Sequence, residues 1–64
     1  MYYAKLDQAG ESLTARFYTR HERDEFCSDR RAVPVRSRAA KFVPGASGCI
    51  TFSGRSADGT WLPL

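Results

Sequence analysis

Residues 2–22, YYAKLDQAGESLTARFYTRHE, decide the fold that we expect for this chain. Two stretches within it alternate apolar and polar side chains, YYAKLD over residues 2–7 and LTARFY over residues 13–18, as half-buried strands do. The linker QAGE, residues 8–11, contains Gly10, and glycine adopts the positive φ angles that tight turns need. Two alternating strands around a short glycine-containing turn predict an antiparallel β-hairpin.

The end of this stretch predicts the start of a helix. Thr19 is followed three residues later by Glu22, which is the spacing of a capping box, in which the threonine hydroxyl accepts from the glutamate amide. The helix is expected to cover about residues 20–30, because the basic residues at its end suit the negative pole of the helix dipole. Its apolar side is essentially Phe26 and Cys27, so it should lie on a surface and bury one narrow stripe.

The second half of the chain predicts shorter elements. AVPVR over residues 32–36 and TWLPL over residues 60–64 each contain a proline, which cannot donate to a strand ladder and favours an edge position. CITFS over residues 49–53 alternates as a strand, and residues 38–43 are expected to form a second short helical turn. The expected fold is α+β, a small single-layer antiparallel sheet of four or five strands with one principal α-helix packed on it.

This arrangement also predicts which side chains are buried. The expected core consists of the inward-facing apolar residues of the strands and helices, with one of two C-terminal residues completing it. These residues are Ala4, Leu6, Ala15, Phe17, Phe26, Val33, Val35, Phe42, Ile50, Phe52 and either Trp61 or Leu62.

Length and composition bound the class of protein. The chain has 64 residues beginning with Met1, and we expect a complete small product with a single domain over residues 1–64. Hydrophobic residues make up 42% and charged residues 27%, which is too apolar for a disordered chain. The net charge is +3, and eight of the ten basic residues are arginine, which suits contact with phosphate or carboxylate. GC-rich coding sequence is an alternative explanation for the arginine bias.

The compartment follows from what the sequence lacks. No stretch approaches the roughly 18 consecutive apolar residues of a membrane span, and we expect no signal peptide, because residues 1–6 lack a basic region followed by an apolar core. Cys27 and Cys49 are therefore expected to be reduced thiols in a cytoplasmic protein, although the sequence leaves open a disulfide between them.

Residues that could carry catalysis or bind a metal are few. The candidates are His21, Cys27 and Cys49, and no pair of them has the short spacing of a structural zinc site. His21 and Cys27 are six positions apart on the expected helix and point in different directions, so they do not form a nucleophile and base. The sequence predicts no enzyme activity, no metal and no cofactor.

The first hairpin carries the main candidate for a binding surface. If the core residues face inward, Tyr3, Lys5, Arg16 and Tyr18 face away from the core on an open sheet face. Aromatic and basic side chains interleaved in this way suit a protein interface or the bases and phosphates of a nucleic acid. The alternative is that they are ordinary solvent-facing strand residues.

Two further groups extend the candidate surface. The first is a basic cluster that either enlarges the surface or pairs with the acidic residues of the helix, and it consists of Arg30, Arg31, Arg36 and Arg38. The second is the C-terminal strand, where alternation separates Trp61 from Leu62 and Leu64 and leaves an apolar patch as a docking edge for a target or a second copy. In the alternative, Trp61 packs on the arginine stems and both leucines join the core.

In general appearance the chain resembles small phage or prophage proteins of the host-takeover or anti-CRISPR type. The resemblance rests on the short length, the capped helix at Thr19–Glu22, the sheet and the lack of a catalytic motif. It implies a non-enzymatic protein that inhibits or modulates a larger host protein or ribonucleoprotein complex, such as a CRISPR effector, by protein–protein contact. The alternative function is a small basic nucleic-acid-binding module that uses the Tyr/Arg sheet face. No residue role is carried over, and no membrane partner is expected.

Overall fold

The computed structural model describes all 64 residues and contains one five-stranded sheet and two helices. The strands and helices follow one another along the chain as β1 (Tyr2–Gln8), β2 (Glu11–Phe17), α1 (Arg20–Arg30), β3 (Val33–Val35), α2 (Ser37–Ala40), β4 (Cys49–Arg55) and β5 (Trp61–Pro63). Their order across the sheet is β3-β1-β2-β4-β5. The predicted α+β class is therefore confirmed, as are the five strands and the principal helix.

The local signals in residues 2–22 act as the sequence predicts. β1 and β2 form an antiparallel hairpin that places Ala4 opposite Ala15, and Gly10 takes a positive φ of 81° in the turn. At the start of α1, the amide of Glu22 donates to the Thr19 hydroxyl at 3.2 Å. The same hydroxyl donates to the Glu22 carboxylate at 3.1 Å, so the two capping side chains also contact each other directly.

One strand pair differs from the predicted antiparallel sheet. β2 and β4 run parallel, with Arg16 opposite Thr51, while the other three pairs are antiparallel. The two crossings between these strands explain the difference. Each crossing returns the chain to the end of the sheet where the previous strand began, so β2, β3 and β4 all run in the same direction. α1 crosses one face between β2 and β3, and α2 with its following loop crosses the other face between β3 and β4.

The core lies between α1 and one face of the sheet. Phe17 is fully buried there, and its ring centroid lies 5.1 Å from Phe26, 5.6 Å from Phe52 and 5.8 Å from Trp61. Four aromatic rings thus meet at the distances of favourable aromatic pairs. The hydrophobic cluster as a whole consists of Ala4, Ala15, Phe17, Phe26, Ala32, Phe52 and Trp61, with Leu6, Cys27 and Ile50 packed against it.

The predicted core needs three corrections. Val33 is 63% exposed, because β3 is a short edge strand that no helix covers on that side. Val35 and Phe42 are only half-buried, and they lie outside the main cluster. Of the two C-terminal candidates, Trp61 enters the core and Leu62 stays exposed.

Both prolines of the sheet lie in edge strands, as the sequence predicts. Pro34 occupies the middle of β3, opposite Ala4, so the residue whose amide would face outward has no N–H. Pro63 lies opposite Phe52 at the end of β5, and the next amide, that of Leu64, donates inward to the Thr51 carbonyl at 2.7 Å. Each edge strand therefore lacks one of the outward amides that a further strand would need.

Candidate functional site

The face of the sheet opposite α1 is partly covered. α2 packs against β1, and the ring of Phe42, just after α2, lies 5.8 Å from that of Tyr3. Tyr3, Lys5 and Arg16 are consequently half-buried, which corrects the expectation that they form an open face. Tyr18 is exposed, but it follows the end of β2 and does not lie in the sheet.

Arg16 is the most firmly positioned cation on this face. Its Nε donates to the Thr51 hydroxyl at 3.1 Å, and its Cζ lies 4.3 Å from the centroid of the Phe42 ring. No carboxylate pairs with it, because every ion pair of the protein involves other basic residues. The Nη groups of this fixed guanidinium therefore have no partner within the protein.

The C-terminal strand divides its large side chains between the two faces. Trp61 is only 5% exposed, so the structure corrects its predicted place in an interface. Its Nε1 donates to Asp29 at 3.1 Å, and the guanidinium lying 5.0 Å from its ring belongs to Arg55 rather than to the predicted arginine stems. Leu62 and Leu64 are 41% and 76% exposed on the opposite side.

Leu64 lies on the same face of the sheet as Arg16, beyond Thr51. Its amide donates to the carbonyl of Thr51, the residue opposite Arg16 in the parallel pair. Arg16, Thr51 and Leu64 therefore form a row across three neighbouring strand positions. We call Arg16, Thr51, Leu62 and Leu64 together the Arg16 face.

The predicted basic cluster is largely free of acidic partners. Arg30 lies 3.5 Å from Asp29, whereas the other three members, which are Arg31, Arg36 and Arg38, are exposed and form no ion pair. The helix acids that were expected to neutralise them contact Arg55 instead, at 3.3 Å from Glu25 and 3.5 Å from Asp29. Arg55 lies on β4, so these contacts are on the side of the sheet that carries β4 and β5, away from β3.

Charge is also segregated along the chain. Residues 30–57 contain six basic and no acidic residues, whereas residues 1–29 contain four basic and six acidic residues. The exposed cations that follow α1 therefore have no acidic residue of their own segment to balance them. This asymmetry favours an anionic ligand or partner for the side of the protein that carries β3 and α2.

A groove of about 360 Å³ lies where the chain start, the first turns of α1 and the junction of β3 with α2 meet. We call it the arginine groove, and its lining residues are Met1, Tyr2, Arg20, Arg23, Val35, Arg36 and Ser37. Asp24 holds two of the guanidiniums, with Nε of Arg23 at 2.7 Å from Oδ1 and Nε of Arg20 at 3.7 Å from Oδ2.

Sequence reasoning singled out only Arg36 from this groove. Apart from its neighbours Val35 and Ser37, the other members come from residues 1–2 and 20–23, and nothing in the local patterns indicates that these segments meet. Tyr2 lies on the same side of β1 as the buried Ala4, but at the start of the strand the residue remains 40% exposed. The excess of arginine in the sequence indicates an anion-binding surface, but it does not indicate where on the protein that surface lies.

The remaining reactive side chains do not form a catalytic constellation. The exposed His21 places its Nε2 2.8 Å from Glu25 on the surface of α1. Cys27 packs against the core under α1, whereas Cys49 points to the opposite face of the sheet because its neighbour Ile50 faces the core. The two thiols are free, and the sheet separates them. Burial raises the pKa of the Cys27 thiol, which disfavours its reactive thiolate.

Comparison with protein-family models, with curated proteins and with solved structures finds no match to this chain. Neither helix has the length and apolar content needed to cross a lipid bilayer. The structure brings no three His, Cys, Asp or Glu side chains together in a group that could hold a metal ion.

Proposed function

We propose that this protein is a small non-enzymatic binding protein that acts on a larger protein complex through the Arg16 face. The observation that carries the proposal is the fixed guanidinium of Arg16, which forms no ion pair and shares a face of the sheet with the exposed Leu64, with Thr51 between them. Arginine and large apolar side chains that share one face in this way are typical of the centre of a protein interface.

The position of Arg16 reduces the cost of binding. Stacking on Phe42 and the hydrogen bond to Thr51 restrict the side chain before any partner arrives. Less side-chain entropy is then lost when a carboxylate binds the free Nη groups in a bidentate manner. A partner that presents an acidic residue next to an apolar one would match the face in both charge and polarity.

The same covering by Phe42 argues against the nucleic-acid alternative at this position. A base-stacking platform needs accessible aromatic faces, and Tyr3 and Phe42 are half-buried against each other. The Arg16 face therefore favours a protein partner. A host protein or ribonucleoprotein complex, such as a CRISPR effector, remains our prediction for that partner, and the cytoplasm remains the predicted compartment.

Two matched variants test the proposal, Leu64→Glu on the Arg16 face and Val33→Glu at the opposite edge. Both residues are exposed apolar residues, so both variants should fold. In affinity purification with the tagged protein, Val33→Glu should retain the proteins that the wild type retains. Leu64→Glu should lose them by about tenfold or more, because it places a like charge where the partner's carboxylate binds.

Two outcomes would contradict the proposal. The first is that the wild type and both variants retain the same proteins, or that none of the three retains any protein. The second is a dimer of the purified chain in sedimentation that Leu64→Glu dissociates, because the Arg16 face would then bind a second copy. We expect a monomer for both variants and for the wild type.

A further inference from the structure

The arginine groove holds more cationic hydrogen-bond donors than its own carboxylate uses. Asp24 pairs with Arg20 and Arg23 through their Nε atoms, and its one hydrogen bond with them is donated by Nε of Arg23. No acceptor within the protein engages the Nη groups of these two residues, and Arg36 has no hydrogen bond or ion pair at all through its side chain. One carboxylate therefore orients two guanidiniums. The Nη donors of the exposed Arg20 and the donors of the exposed Arg36 remain free for an anion.

The carboxylate of the first helical turn, that of Glu22, does not enter the groove. Glu22 accepts from the Thr19 hydroxyl at 3.1 Å. Its Oε2 lies only 3.3 Å from where a Cβ on Gly54 would be, which directs it toward β4. The groove is on the other side of α1, against β1 and β3, so three arginines there meet a single acidic side chain.

An aromatic ring distinguishes this groove from a simple anion site. Tyr2 is 40% exposed, and Cζ of Arg23 lies 5.9 Å from the centroid of its ring. A free inorganic anion would use the guanidiniums and leave the ring unused, whereas a nucleotide offers a phosphate for the arginines and a base for the ring.

We propose that the arginine groove binds a nucleoside phosphate unit, taken either as a free nucleotide or as part of a single-stranded nucleic acid. The phosphate contacts Arg36 and the free Nη groups of Arg20, and the base packs on Tyr2. The site shares no residue with the Arg16 face and needs no protein partner. Its success or failure is therefore independent of the function proposed above.

The chain supplies a matched control for this site. Arg36 and Arg38 are both exposed, neither forms an ion pair, and only Arg36 lines the groove. Arg36→Glu and Arg38→Glu change the net charge equally, so a diffuse attraction to a polyanion should weaken by a similar factor in both variants. A specific site should respond to Arg36→Glu alone, and Tyr2→Leu tests the ring while keeping an apolar side chain.

Binding is measured by fluorescence anisotropy with a labelled oligothymidylate of about eight nucleotides, at low and at physiological salt. Arg36→Glu should weaken binding by about tenfold or more and Arg38→Glu by no more than about threefold. Tyr2→Leu should weaken it by about fivefold or more, since a stacked base is lost. Two or three phosphate contacts predict a log–log salt slope of about −1.4 to −2.1.

Competition then identifies the source of the nucleoside phosphate. If adenosine monophosphate displaces the oligonucleotide, the free nucleotide is a sufficient ligand, and if it does not, the site takes the unit within a strand. Equal weakening by Arg36→Glu and Arg38→Glu would overturn the proposal. Displacement of the oligonucleotide by polyglutamate at the same charge concentration would also overturn it, because the groove would then bind an acidic protein. A third contrary result is that the oligonucleotide does not bind at about 100 µM protein. Circular dichroism confirms that each variant is folded.

Discussion

The two faces of the sheet are made by the same strands, yet they are built in different ways. On the α1 face, Phe17 is surrounded by three other aromatic rings and is fully buried. On the α2 face a single ring, Phe42, covers Arg16, and both residues remain half-buried.

Helix length explains this difference. The 11-residue α1 lies along the sheet, whereas the four-residue α2 covers only part of it. Most of the buried apolar contacts that stabilise the fold therefore lie on the α1 face. The α2 face keeps an arginine without an ion pair and exposed leucines. The pair of faces shows how a 64-residue chain can leave side chains accessible on one face of its sheet and still have a core on the other.

The largest expected effect is that of Phe17→Ala. Removing a fully buried ring that contacts three others should lower the free energy of unfolding by about 3–5 kcal/mol. The total for a domain of this size is only about 3–10 kcal/mol, so most of the stability should be lost. Urea denaturation followed by circular dichroism measures the change, and a loss below about 1 kcal/mol would contradict the description of the α1 face as the core.

Phe42→Ala makes the matching change on the α2 face. Because this ring is half-buried, we expect a loss of about 1–2 kcal/mol in the same denaturation experiment. The variant should also release Arg16 from its stacked position, which makes its guanidinium signals in an NMR spectrum resemble those of a mobile arginine. Equal destabilisation by the two phenylalanine variants would show that the faces contribute alike and would remove the contrast between them.

Thr19→Ala tests how firmly α1 is held over the core. The substitution removes the acceptor for the Glu22 amide and should cost about 1 kcal/mol. Thr19→Ser is the control, since it keeps the hydroxyl and should change stability by only a few tenths of a kcal/mol. If alanine and serine have the same effect on the urea midpoint, the capping hydrogen bond does not stabilise the helix.

The smallest effect concerns the thiol on the α1 face. Burial raises the pKa of Cys27 above its usual 9.0, with the nearby Arg23 opposing the shift. The folded state therefore favours the neutral thiol, so this contribution to stability is present below about pH 9 and is lost as the pH rises through the higher folded-state pKa.

In a Cys49→Ser protein, iodoacetamide should modify Cys27 more slowly near pH 9 than it does in the urea-unfolded chain, because less thiolate is present. The unfolded chain is the control for the intrinsic rate of the thiol. Equal rates in the two states would show that the thiol on this face is as accessible and as acidic as in an unfolded chain.

Features encoded within a few neighbouring residues could be predicted from the sequence alone. The β1–β2 hairpin, the Thr19 cap and the span of α1 all follow from alternation and from hydrogen bonds between residues close in the chain. The edge positions of β3 and β5 were predictable for the same reason, because a proline lacks an amide hydrogen wherever the strand is placed.

Other features depended on which distant segments meet, and only the tertiary structure decided them. Strand alternation separates Trp61 from Leu62, but which of the two enters the core depends on the face that α1 covers. The parallel pairing of β2 with β4 depends on crossings made by α1 and α2, whose directions no local pattern records. The arginine groove is the clearest case, since Tyr2, Arg20 and Arg36 meet only through the packing of three separate segments against one another. Alternation and capping act over a few residues, whereas a site of this kind is set by the burial of side chains that are far apart in the sequence.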